Sequence, residues 1–233
     1  MRCLLALVLL IPAAGLYGEN PRDWFIPLRD AVYEQKLGAD DIAPLFRRTE
    51  DHARESLSGA TLYVTLSRCE YMMGRAYQYE ERKEEAAARY EEGMNWAEKA
   101  LEEGAGADAW QMLAENLSQA CAVRPASYAM ANGLKVGKYA KNALALNSRN
   151  AAAQYLIAAR WVFAPAPFHN YRKGIEMMTA ILTEGNMEKD DRFNVCLAIG
   201  YAYTQQKKNE EARPWLQKAL EVYPSNKYAR SLL

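Results

Sequence analysis

Ile199, Gly200, Tyr203, Ala212, Leu216, Ala219 and Pro224 impose the strongest constraint in this chain, because they fall at the spacing of two helices packed back to back. Gly200, Ala212 and Ala219 let the two backbones approach closely. Ile199, Tyr203 and Leu216 fill the remaining contact, and Pro224 blocks continuation of the second helix. A hairpin of this kind cannot bury both of its faces alone, so it needs neighbours of the same kind. The pattern points to a scaffold before it points to a catalyst.

Beyond residue 18 the hydrophobic periodicity is helical almost everywhere, with hardly any alternating β-branched run. The spacing predicts helices near 22–36, 40–56, 59–79, 83–103, 107–123, 126–146, 150–163, 170–184, 190–206 and 209–222, and a short tail helix from Ser225. Gly38, Gly59, Gly104 with Gly106, Arg124 with Pro125, Asn147 to Asn150, the Pro165 and Pro167 loop, and Gly185 with Asn186 supply the interruptions. These breaks pair the helices into hairpins.

The same spacing recurs upstream. Met73, Gly74 and Tyr77 with Ala86, Tyr90 and Gly93 form one copy. Trp110, Leu113, Ala114 and Leu117 begin another, whose long second helix drifts out of register before Ala143, Leu144, Asn147 and Asn150 close it. Ile157, Ala158 and Trp161, then Gly174, Met178 and Ile181, form a third across a lengthened loop. With the Gly200 copy, these residues resemble the tetratricopeptide repeat over about two thirds of the chain. The resemblance implies an all-α fold, a right-handed superhelical array of antiparallel hairpins with about five helix pairs. Residues 19–58 form a helical pair without the signature, and residues 59–233 the repeat region.

At the N-terminus, Arg2, the apolar run Cys3 to Ile11 and the small residues from Pro12 to Gly18 read as a secretory signal over residues 1–18. The run is too short to span a membrane, cleavage after Gly18 or Gly15 leaves a small residue at the cut, and no cysteine follows closely enough for lipid attachment. The expected location is secreted or periplasmic. Lys plus Arg and Asp plus Glu both total 29, so the whole chain lacks the net positive field that favours nucleic acid or anionic lipid. Cys69, Cys121 and Cys196 have no framework spacing and read as small hydrophobes in helical stretches, with one disulfide among them left open in an oxidising compartment.

No catalytic set emerges, and the chain is expected to be non-enzymatic, without metal or cofactor. His52 beside Glu50 and Asp51 reads as a solvated helix face, because adjacent helix positions point in different directions. His169 reads as a loop residue. Gly104, Gly106 and Ala109 follow a helix rather than a strand, so they read as a helix cap and not as a phosphate loop. Asn116, Leu117 and Ser118 form a glycosylation sequon in mid-helix, read as incidental.

The resemblance further implies that ligands contact the first helix of each hairpin. Carried over, the candidate inner face comprises Arg68, Tyr71, Arg75, Gln78 and Tyr79; Gln111, Glu115 and Gln119; Tyr155, Ala159, Val162 and Phe163; and Asn194, Leu197, Tyr201 and Gln205. Its Tyr, Arg and Gln content suits a protein or peptide partner, although the same aromatic stripe also suits packing between repeats. Tyr71 and Arg75 stand where the carboxylate-gripping members of the family carry Lys and Asn, which argues against a chaperone-tail receptor. Phe168 and His169, on the loop from Ala164 to Tyr171, mark a further candidate contact. Two readings follow: a scaffold binding a protein or peptide through its concave face, or a carrier with an aromatic-lined cavity for a small, partly apolar ligand. An open groove favours the first, and a closed pocket the second.

Overall fold

The structure, a computed structural model, describes residues 21–183 and 187–233. The proposed signal segment and the Gly185–Asn186 break lie outside the described residues. Among those described, the regular elements are eleven helices: α1 (Pro21–Glu34), α2 (Ala39–Ser56), α3 (Gly59–Tyr79), α4 (Lys83–Glu102), α5 (Ala107–Val123), α6 (Ala126–Leu146), α7 (Ala151–Phe163), α8 (Tyr171–Thr183), α9 (Lys189–Gln205), α10 (Asn209–Val222) and α11 (Lys227–Ser231). Consecutive helices pack in pairs, and α1, α3, α5, α7 and α9 also touch in that order, forming an inner layer. This is an all-α solenoid of consecutively paired helices.

The small residues act as the spacing predicts. A Cβ on Gly200 would lie 2.6 Å from Leu216 Cδ2, and one on Gly74 would lie 2.5 Å from Tyr90 Cε1, so α9 meets α10, and α3 meets α4, at distances only glycine permits. Both hairpins turn in the same way. Glu81 and Lys207 adopt left-handed backbone, with φ of 61° and 60°. The following amides of Arg82 and Lys208 each donate to the carbonyl five residues back, on Tyr77 and Tyr203, at 3.0 Å. These are Schellman-type helix ends carrying side chains where glycine is usual. Gly104, with φ of 82°, ends α4 in the same manner, in keeping with a helix cap.

Between the α3–α4 hairpin and α5, Ser67 donates to the Gly93 carbonyl at 2.6 Å, and the Asn116 amide donates to Ser67 Oγ at 3.2 Å and to the Met112 carbonyl at 2.9 Å. Asn116 is fully buried, so its sequon has no room for a glycan.

The array does not stay open. Tyr33 of α1 stacks on Tyr223, with ring centroids 5.0 Å apart, and meets Phe193 of α9 edge-on at 5.5 Å. Its hydroxyl accepts from Asn194 at 3.0 Å, its carbonyl accepts from Asn226 at 2.8 Å, and Gln35 accepts from the Lys227 amide at 2.7 Å. Asp30 receives hydrogen bonds from Arg29 (3.0 Å), Lys189 (2.9 Å) and Tyr223 (3.0 Å). Burial by itself pushes the Asp30 carboxyl up, but the donors, Lys189 foremost, outweigh it and hold the carboxyl below its ordinary range. The first helix thus seals against the last hairpin. The two ends of the array meet beside the concave face.

Candidate functional site: a lumen among the inner helices

Among the inner helices lie a larger and a smaller space, each partly open to solvent. The larger, about 960 Å3, draws on all five of them, on the α1–α2 turn and on α11. Val32, Ala159, Leu197, Tyr155 and Phe163 supply apolar wall; Gln35, Gln78, Gln119 and Asn194 supply amides; Arg75 and Lys227 supply cations, and Glu80 and Glu81 carboxylates. Pro165, from the long α7–α8 connection, and Tyr228 of α11 complete the lining. At the other end, nearer the starts of α1, α5 and α9, a space of about 40 Å3 is lined by Arg29, Arg68, Tyr71, Gln111, Glu115 and Asp190, among others.

Arg75 is the centre of the larger lumen's chemistry. Its guanidinium lies 4.9 Å from the Tyr79 ring centroid and 5.5 Å from that of Tyr33, and its Nη2 donates to the Tyr79 hydroxyl. Its Nε is buried without a hydrogen-bond partner. Among the described residues no carboxylate forms an ion pair with it, so the charge rests on aromatic faces and one phenol. Beside it, Gln78 accepts from the Tyr90 hydroxyl, which fixes its amide. Burial raises the Tyr155 hydroxyl to about 12, so this phenol stays protonated and able to donate.

The smaller space is crowded with ionisable groups of both signs. Burial pushes Glu115 up to about 7, against the opposing hydrogen bond from Gln111 at 3.2 Å. Burial likewise raises Asp190, against Arg29, whose Nη1 lies 3.5 Å from it; burial and then the Asp190 charge raise Asp191. The smaller space thus sets four carboxyls, Glu115, Glu188, Asp190 and Asp191, against Arg29 and Arg68, whereas Arg75 belongs to the larger one.

The structure gathers most of the predicted face and redistributes the rest. Arg75, Gln78, Tyr79, Gln119, Tyr155, Ala159, Phe163, Asn194 and Leu197 line the larger lumen, and Arg68, Tyr71, Gln111 and Glu115 the smaller space. Tyr71 is only 5% exposed and packs at 6.1 Å from Tyr90, so its ring belongs to the core. Val162 faces Gly174 of its own second helix, and Gln205 is exposed at the end of α9. Tyr201 lines neither space but packs on Phe163 at 5.2 Å, supporting the lumen wall from behind. On the connecting loop Phe168 is exposed, whereas His169 stacks on Tyr171 at 4.5 Å.

His52 departs from the solvated-face expectation. It is half-buried and meets Trp24 edge-on at 5.0 Å, because α1 folds over that side of α2. Cys69, Cys121 and Cys196 are free, and burial pushes all three thiols up. The closing residues Arg29, Tyr33, Asn194, Tyr223 and Asn226 carry no local sequence signal for their pairing, since their partners lie more than 150 residues away.

Comparison with solved structures finds a likeness to one described as "Crystal structure of YrrB: a TPR protein with an unusual peptide-binding site", at 18% identity, 91% coverage of this chain, 98% of that one and a TM-score of 0.41. No curated protein matches. The family model described as "Regulator of microtubule dynamics protein 1-3" matches residues 29–231, from the α1 residue that pairs with Asp190 to the last residue of α11. On a match of that extent, this chain belongs to the regulator of microtubule dynamics protein 1-3 family.

Proposed function

We propose that this protein is a non-enzymatic scaffold of the tetratricopeptide superfamily, exported to a secreted or periplasmic location, that binds a protein or peptide partner through its inner face. The observation that carries the reading is Arg75, a cation inside a lumen of about 960 Å3, with its Nε unpaired and apolar wall around it. Such a site suits an inserted chain end or side chain bearing a negative group, with Gln78 and Tyr155 as further polar contacts and Phe163 and Leu197 against apolar atoms. Because α1 seals the array, the partner enters by a terminus or narrow loop rather than lying through an open groove. The family description speaks of regulating microtubule dynamics, which is in keeping with action on a protein assembly. Export rests on the N-terminal apolar segment and its small-residue flank.

The volume also favours the second reading, a carrier of a small, partly apolar molecule, since it lies within the usual range of ligand sites. Native mass spectrometry of gently purified protein, together with cross-linking, separates the two. A cross-linked partner with no retained small molecule supports the scaffold; a stoichiometric small molecule supports the carrier. With the captured partner in hand, Arg75→Gln is expected to weaken binding by about tenfold or more, the scale of one lost charge-assisted contact. Titration calorimetry measures it, and unchanged affinity removes Arg75 from the site.

A further inference from the structure

The balanced charge of the whole chain conceals a strong segregation. Between Glu115 and Glu176 there is no Asp or Glu, and there are eight Lys or Arg. The same stretch contains five of the eight large hydrophobic residues that stand exposed among the described residues, led by Met130 at 85% and Leu134 at 84%. Positive charge and exposed apolar surface thus fall on one part of the molecule.

They converge on the outer face of α6. Met130, Leu134, Lys138 and Lys141 follow helical spacing, so they share one side, and all four are exposed. Among the described residues neither Lys138 nor Lys141 enters an ion pair. Gly133 and Gly137 flank this face, and a Cβ on either would meet nothing within 4 Å. Further along the acid-free stretch, Arg149, Arg160 and Lys173 are exposed as well.

We propose that this face docks the protein on an anionic lipid surface, with Met130 and Leu134 entering just below the headgroups and the α6 lysines held among them. Spread positive charge around a few projecting apolar side chains matches a surface whose negative charge is also spread and whose apolar interior lies a few ångströms deep. A protein helix or peptide is the weaker fit, because Met130, Leu134, Lys138 and Lys141 line neither of the two spaces described above. Among the described residues no helix is long and apolar enough to cross a membrane. The proposal is independent of the lumen, and its failure leaves that reading in place.

The test is flotation of the full chain with vesicles of phosphatidylglycerol and phosphatidylcholine, against phosphatidylcholine alone, at low and high ionic strength. The apolar run at residues 3–11 is common to wild type and variants, so the difference between them isolates α6. Wild type is expected to float with the anionic vesicles and to be released by salt. Lys138→Glu/Lys141→Glu and, separately, Met130→Ser/Leu134→Ser are each expected to lower partitioning by about tenfold or more with melting unchanged. Equal flotation by wild type and both variants overturns the proposal, as does equal binding to both vesicle types. Binding of wild type to poly-glutamate without flotation assigns the face to an acidic protein and overturns it too.

Discussion

At the scale of single residues, Gly200 and Lys207 show how differently two positions of one hairpin tolerate change. Gly200 lies against Leu216, where a Cβ already falls inside contact distance, so Gly200→Leu must force α9 and α10 apart. A loss of about 3 kcal/mol or more is expected, at the upper end of overpacking costs, and urea unfolding measures it. Lys207 does the reverse. It holds a left-handed backbone with φ of 60°, which costs an L-residue about 1–2 kcal/mol and glycine almost nothing. Lys207→Gly is therefore expected to raise stability by about 0.5–1 kcal/mol, the gain being reduced by glycine's greater freedom in the unfolded chain. A fall in melting temperature would show that Lys207 makes contacts that outweigh its backbone strain. The Gly200 contact was legible in the sequence, because a small residue recurs at fixed offset from bulky ones. The left-handed turn was not, since Lys and Glu carry no mark of that conformation.

At the scale of helices, local periodicity placed the elements well: the predicted bounds 59–79, 107–123, 126–146 and 209–222 are those of α3, α5, α6 and α10. Periodicity could not say how each inner helix divides its residues between wall and lumen. Tyr71 and Tyr79 sit on the same helix two turns apart, yet Tyr71 enters the core and Tyr79 lines the larger space. Glu115 of α5 gives this division a measurable consequence. Its carboxyl rises to about 7 on burial, so the folded chain holds a proton that the unfolded chain releases at lower pH. The stabilisation is complete below the unfolded value of about 4.3 and is lost as pH rises through about 7. Burial raises Glu70 to about 7 as well, although Arg89 lies 3.3 Å away, and adds in the same direction. The melting temperature is expected to fall between about pH 5 and pH 8. Glu115→Gln should flatten that slope and stabilise the protein at the alkaline end, as a calorimetric pH series would show. An unchanged slope would mean that Glu115 stays charged in the folded state.

At the scale of the whole molecule, the decisive event is the seal between α1 and the last hairpin. Tyr33 is fully buried there, between Tyr223, Phe193, Asn194 and Asn226. Tyr33→Ala removes the ring that both ends share and leaves the Asn194 amide without its acceptor. A loss of about 3–5 kcal/mol is expected if closure belongs to the same cooperative unit as the stack. Small-angle scattering provides the second readout, an increase in radius of gyration as the ends part. Strong destabilisation without expansion would mean that the ends remain together through Asp30 and Lys189.

The sequence by itself determined that the chain is helical, where the helices begin and end, and which small residues let them pair, because these follow from contacts a few residues to one hairpin apart. Tertiary structure alone decided that the ends of the array meet, that Arg75 forms no ion pair among the described residues, and that Tyr71 is core. Those outcomes depend on pairs such as Tyr33 with Asn226 and Asp30 with Tyr223, separated by 193 residues in each case. No periodicity spans such a distance. A stacked array accumulates a small rotation at each hairpin, and only the sum of those rotations determines whether its ends meet.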